Sequence, residues 1–205
     1  NPHFLYNSFF ALHRMIKMED IEGAKKFSEQ LGRYFQHITR NASDDVPIAT
    51  EIEHARNYAA IMARRYGDMV NISFGELPKE LEHLMVPRII IQPLIENCFE
   101  HGIKDIEKAG NIEVSFNVNG NTMEIIVKDN GIGMTEDRLR YLNGILDGTI
   151  QSEDTAILNI HKRFKIKYGE KYGLTIKSEK SSGSSFILRF PIGGESVDIS
   201  NINYR

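Results

Sequence analysis

Two short segments hold residues whose types and spacing suit chemistry. The first is Asp129-Asn130-Gly131-Ile132-Gly133-Met134, which follows the apolar run Ile125-Ile126-Val127. That run reads as a strand ending in a carboxylate and a glycine turn. A carboxylate there accepts a hydrogen bond from the exocyclic amine of a base such as adenine. Gly131 and Gly133 lack Cβ atoms, so backbone approaches a flat ring closely or takes positive φ. Asp-Asn-Gly is also strong turn chemistry, so a plain turn stands as the alternative. The spacing is not a dinucleotide fingerprint, because the third glycine and the following helix are misplaced. The second segment is the apolar run from Ile89 to Asn97, which reads as a helix delivering Glu96, Asn97, Glu100 and His101 at its far end. Asn97, Glu100 and His101 share one helix face. An amide oxygen with phosphate oxygens suits magnesium, which prefers hard oxygen ligands and keeps several waters. Glu96 points to a neighbouring face, from which it would polarise a water or a nucleophile. The alternative is a solvated polar helix end, with His101 as a C-terminal cap favoured by the helix dipole. One segment suits a base edge and the other a metal on phosphates, so together they suggest a nucleotide site.

The elements that must position these residues are legible in the periodicity. Leu5, Phe9, Leu12 and Ile16 recur at helical spacing, as do Ile21, Ala24, Phe27, Leu31, Phe35 and Ile38. Met18-Glu19-Asp20 breaks those two helices apart. Ser43 to Pro47 is a second break, and Ile48, Ile52, Ala55, Ala59, Met62 and Tyr66 mark a third helix. A helical hairpin of this size buries too little alone, so a dimer is expected. From Met69 the pattern changes. Val70, Ile72 and Phe74 alternate like a strand, and Ile89 to Ile103 reads as a helix. Ile112 to Val118 and Met123 to Val127 form a hairpin around Asn119-Gly120-Asn121. Helices follow at about 135–146 and 156–168, separated by a polar stretch, Gly148 to Asp154, that reads as mobile. Leu174–Ser178 and Ser185–Pro191 make the last strands. The fold class is therefore α+β, with a helical unit over 1–67 and a mixed, mostly antiparallel unit over 68–205.

The 205 residues are 41% hydrophobic and 26% charged, the composition of a folded globular chain. A net charge of -3 gives no basic surface for nucleic acid. The one cysteine, Cys98, excludes a disulfide framework and reads as a packed thiol. No apolar run approaches the roughly 20 residues of a membrane span. The chain starts at Asn1 inside what reads as a continuing helix, so a fragment of a longer protein is expected.

Four motifs in order resemble the LytS/YesM-like class of sensor histidine kinases. They are N-P-H-F-L-Y-N-S at 1–8, V-P-R-I-I-I-Q-P-L-I-E-N-C-F-E-H-G-I at 86–103, D-N-G-I-G-M at 129–134 and S-G-S-S-F at 182–186. The first two are particular to that class. The third is shared by the wider superfamily that includes gyrase, Hsp90 and MutL. The resemblance covers nearly the whole chain. It implies a dimerising helical hairpin bearing a phospho-acceptor histidine, followed by an ATP-binding α/β sandwich of the GHKL (Bergerat) type. It assigns His3 as phospho-acceptor, Glu96 as general base, Asn97 as Mg2+ ligand and Asp129 as the adenine-reading carboxylate. Gly131 and Gly133 would shape the pocket, Ser185 would lie near the adenine, and Arg163 would assist at the phosphates. ATP and Mg2+ are the implied cofactors. A homodimer and a response-regulator receiver domain are the implied partners, with no nucleic acid. The chain would be the cytoplasmic portion of a bacterial inner or plasma membrane protein, anchored through upstream segments.

One departure stands out. The class opens the helix after its ATP lid with a second glycine box, and those glycines fall here on Asp154 and Ala156. A carboxylate and a Cβ replace bare backbone where helix-start amides should meet phosphate. Thr155 and Arg163 would compensate in part. The alternatives are a non-catalytic dimeric scaffold or nucleotide sensor of the same fold, and an ATPase with water as acceptor.

Overall fold

The computed structural model describes residues 2–39, 45–66, 69–103, 109–152 and 155–193. Three helices come first: α1 (Pro2–Lys17), α2 (Ile21–Ile38) and α3 (Ile48–Tyr66). The break between α1 and α2 falls where the sequence places it. Glu19 takes φ 61°, and the Asp20 carboxylate accepts from Gly23 N at 2.9 Å to cap α2. Helix α2 buries Ala24, Phe27, Leu31 and Tyr34, one stripe at helical spacing. Helix α3 buries Ile48, Ile52, Ala55, Ala59 and Met62.

Beyond them lies a five-stranded sheet in the order β2-β4-β5-β7-β6. Its strands are β2 (Val70–Phe74), β4 (Gly110–Asn119), β5 (Thr122–Asp129), β6 (Gly173–Glu179) and β7 (Gly183–Pro191). Strand β2 runs parallel to β4; the other pairs are antiparallel. The sheet is thus mixed and mostly antiparallel, and the fold is α+β. The β4–β5 hairpin turns at Gly120, whose φ of +57° suits glycine. Period-2 alternation buries Met123, Ile125 and Val127 beneath helices α5 (Glu136–Leu146) and α6 (Ala156–Tyr168) and the segment 92–103. Thr135 and Thr155 cap α5 and α6, and Gly169 ends α6 with φ 101°. The buried residues of helices and sheet form one continuous cluster, from Phe4 and Phe27 to Phe190.

Two local features differ from the sequence expectation. Asp45–Pro47 (β1) pairs antiparallel with Met85–Pro87 (β3), too short a pair to leave a periodic signal. The expected helix from Ile89 starts only at Gln92. Helix α4 covers Gln92–Asn97 and continues as a π-helical stretch, Cys98–Ile103. Ile89 sits at φ 55°, a conformation a β-branched residue rarely adopts. The surroundings hold it there. The Glu51 carboxylate accepts from Ile89 N at 2.8 Å and Ile90 N at 3.0 Å, and Arg163 Nη1 donates to Arg88 O at 3.0 Å.

Glu51 is fully buried. Burial alone would push its pKa up, but the His37 imidazole and the two amides hold it below the usual carboxylate range. A depressed carboxylate contributes stability that is full above its unfolded pKa, about 4.3, and is lost as pH falls through the folded value. Glu51→Gln is expected to cost about 2 kcal/mol at neutral pH, since an amide donor then faces a backbone donor. It should also flatten the loss of stability below about pH 4.3. Urea melts across that range check both.

Candidate nucleotide-binding site

The end of β5, the segment 96–102, the start of α5 and the start of α6 enclose a cavity of about 520 Å³. That size is within the usual range for small-molecule sites. Asp129 stands on its wall and is 2% exposed. Gly131 N donates to Asp129 Oδ1 at 2.8 Å. Asp129 Oδ2 is buried and has no hydrogen-bond partner among the described residues. Burial raises the Asp129 carboxyl, against the lowering effects of the Gly131 amide, the Cys98 thiol and the Ser184 amide. A buried charged acceptor with an unused oxygen is costly unless a ligand donor meets it. The exocyclic amine of a base is such a donor, so the site fits an adenine nucleotide on this atom.

Gly131 is required by packing. A Cβ there would lie 2.1 Å from the Gly102 carbonyl oxygen. Gly102 was not foreseen as a site residue, yet a Cβ on it would meet Asp129 Oδ1 at 2.7 Å. The two glycines bring the 98–103 segment against the 129–133 turn, and Ile132 N donates to Gly102 O at 3.0 Å. The turn is held from the other side by Asn130, which accepts from Asn111 N at 2.7 Å and donates to Ala109 O at 3.1 Å. Gly133 lines the cavity at φ +63°.

Asn97 also lines the cavity. Its Nδ2 donates to Pro93 O at 2.6 Å, which leaves Oδ1 as the atom for a ligand. Glu96 lies beside it and accepts from Gln92 Nε2 at 2.7 Å. Burial raises the Glu96 carboxyl, the Gln92 amide lowers it, Glu100 raises it and the Tyr58 hydroxyl lowers it. Thr155, Ala156 and Ile157 bring the first turn of α6 to the cavity edge. The Thr155 hydroxyl accepts from Leu158 N at 3.2 Å, and the first-turn amides of Ala156 and Ile157 suit an oxyanion. Glu153 and Asp154 lie outside the described residues. Arg138 and His101, from α5 and the π-helical stretch, add cationic or ionisable side chains at the rim.

Two expected residues do not join the cavity. Ser185 pairs with Lys128 and Lys177 on the opposite side of β7, because side chains alternate along a strand. Ser184 takes the place instead; it is 6% exposed, and its hydroxyl lies 2.9 Å from that of Ser178. Arg163 points away from the cavity toward the Arg88 carbonyl and braces the Ile89 turn. His3 lies in α1, and its side chain is outside the described part of the structure. The next residue, Phe4, packs on Tyr34 (ring centroids 4.6 Å apart) and on Tyr58 (5.6 Å).

Residues 86–194 match the family described as histidine kinase-, DNA gyrase B-, and HSP90-like ATPase. The chain belongs to this ATPase family. Separately, residues 1–70 match the family described as histidine kinase. The sensor protein kinase HptS of Staphylococcus aureus, in strains USA300 and NCTC 8325, is 28% identical over 199 residues, 97% of this chain. The chain spans 38% of the length of those relatives. The histidine kinase domain of the Erythrobacter litoralis EL346 blue-light activated histidine kinase has the same fold at 14% identity. Its TM-score is 0.52, over 94% of this chain and 96% of that one. The ATP binding domain of PrrB from Mycobacterium tuberculosis matches at TM-score 0.50 and 16% identity, over 75% of this chain and 100% of its own. In this ATPase family the domain binds ATP, in keeping with the unpaired Asp129 oxygen. No helix among the described residues is long and apolar enough to cross a membrane.

Proposed function

We propose that the chain is the catalytic part of a two-component sensor histidine kinase, which phosphorylates its own His3 from ATP. Residues 68–205 bind the nucleotide, and residues 1–67 dimerise and carry the acceptor. The observation that carries this reading is the shared cavity. Asp129, with a free buried oxygen, and Asn97, with a free amide oxygen, line one space closed by the start of α6. Phe4, beside His3 in α1, packs on Tyr58, whose hydroxyl neighbours Glu96.

In the reaction a neutral His3 nitrogen, from a side chain with a pKa near 6.5 when unperturbed, bonds to the γ-phosphorus. The bond from that phosphorus to the β–γ bridging oxygen breaks and ADP leaves. Glu96 accepts the proton that the imidazolium loses. Asp129 orients the adenine, and the α6 amides hold phosphate oxygens. Positioning supplies most of the rate. Magnesium, when bound, would sit on Asn97 and the phosphates and neutralise their charge. No group of three or more His, Cys, Asp and Glu able to hold a metal occurs among the described residues, so the amide and the phosphates are the ligands expected. The phosphoryl group then passes to an aspartate of a response-regulator receiver domain. Tyr6, Phe9, Phe10 and Ile16 are exposed on α1, which supports a homodimer through the N-terminal helices. By likeness to sensor kinases, the chain works on the cytoplasmic side of a bacterial membrane.

Asn97→Ala tests the phosphoryl-transfer part of this reading. The rate of protein phosphorylation should fall roughly tenfold or more, while adenosine binding, measured by calorimetry, stays within about twofold. Equal losses of both would contradict it.

A further inference from the structure

A buried run of hydrogen bonds crosses from the helical layer to the helix that carries Asn97. Gln92 is at its centre and is 6% exposed. Its Oε1 lies 2.6 Å from His54 Nε2 on α3. Its Nε2 donates to the Tyr34 hydroxyl on α2 at 3.2 Å and to Glu96 Oε1, one turn along α4, at 2.7 Å. One side chain therefore ties α2 and α3 to a single carboxylate oxygen on α4.

The amide is oriented from both ends. The Glu96 carboxylate requires a donor, so Nε2 faces it and Oε1 faces His54. Burial holds the His54 pKa below its ordinary value, so the ring is neutral and carries its proton on Nε2 to make this bond. His54 is itself fixed. It stacks on Tyr34, with centroids 5.5 Å apart and planes 14° apart, and on His37 at 3.8 Å. His37 in turn lies 3.1 Å from the Glu51 carboxylate that holds the Ile89 and Ile90 amides. Every member of the run has a partner whose position depends on the packing of α2 against α3.

We propose that Gln92 is a positioning residue for phosphoryl transfer, through which α2 and α3 hold the Glu96 carboxylate in its working orientation. The proposal rests on the reading of Glu96 as the proton acceptor. Without the Gln92 amide, Glu96 Oε1 loses that donor, and the carboxylate keeps the Tyr58 hydroxyl alone and turns about it. A movement of α2 on α3 thus reaches the phosphoryl-transfer site through the Gln92 amide, beside the Tyr58 hydroxyl of α3. Chemistry and nucleotide binding are separated by this arrangement, because Gln92 lies on the helical side of α4 and not on the cavity wall.

The test uses the native full-length protein. The rate of phosphohistidine formation at saturating ATP and the ATP dissociation constant are measured for the wild type, Gln92→Met, Glu96→Gln and the double variant. Thermal melts confirm folding. Gln92→Met should slow the reaction roughly tenfold while ATP affinity stays within about twofold. In the Glu96→Gln background it should add nothing further. His54→Phe keeps the ring stacking and removes only the donor to Gln92, so it should slow the reaction in the same way and show the same dependence on Glu96. A wild-type rate in Gln92→Met and His54→Phe, with Glu96→Gln slow, overturns the positioning role and leaves the reading of Glu96 intact. A loss of equal size in both backgrounds assigns Gln92 a packing role and also overturns it. A wild-type rate in Glu96→Gln overturns the reading of Glu96, and the proposal with it.

Discussion

Asp129→Asn is expected to weaken ATP binding by about a hundredfold and to erase the preference for ATP over GTP. The carboxylate is almost fully buried, and its Oδ2 has no partner among the described residues. A hydrogen bond to a buried charged group contributes roughly 1.5–3 kcal/mol, which is about ten- to a hundred-and-fifty-fold in affinity. Asparagine also turns part of the acceptor into a donor. The exocyclic amine of adenine then meets an N–H group on one side, whereas the carbonyl of guanine is no longer rejected. Burial raises the Asp129 carboxyl, so its charge is held at a cost that is present at neutral pH and relieved on acidification. ATP affinity of the wild type should therefore fall on acidification at a higher pH than for an ordinary aspartate, and that dependence should disappear in the variant. Calorimetric titration with ATP and GTP across pH checks both. Unchanged ATP affinity in Asp129→Asn would remove the adenine site from this cavity.

The parts of this site that are legible in the sequence are those whose signals are local. A strand ending in Asp129 and followed by two glycines announces itself within six residues. The β4–β5 hairpin does so through Asn119-Gly120-Asn121, and α5 and α6 through their helical periodicity. The misses all depend on partners distant in the chain. The start of α4 at Gln92, and not Ile89, is set by a carboxylate on α3 that captures two amides. Arg163 is drawn to Arg88 O on a segment far upstream, away from the phosphate region. Gly102 matters only because Asp129 and Gly131 fold against it. Ser184 and Ser185 are told apart only by the register of β7 against β5 and β6, because a shift of one residue reverses the face.

His3→Gln is expected to abolish protein phosphorylation while ATP affinity stays within about twofold, since no other group replaces a nucleophile. Its place beside Phe4 brings the start of α1 against Tyr34 and Tyr58, on the side of α4 that carries Glu96. Incubating the native protein with ATP labelled in the γ-phosphate, and locating the label by mass spectrometry, tests the central claim most directly. The account predicts an acid-labile, base-stable label on His3 that is absent from His3→Gln. A label that persists in His3→Gln, or release of free phosphate with no labelled protein, would contradict it.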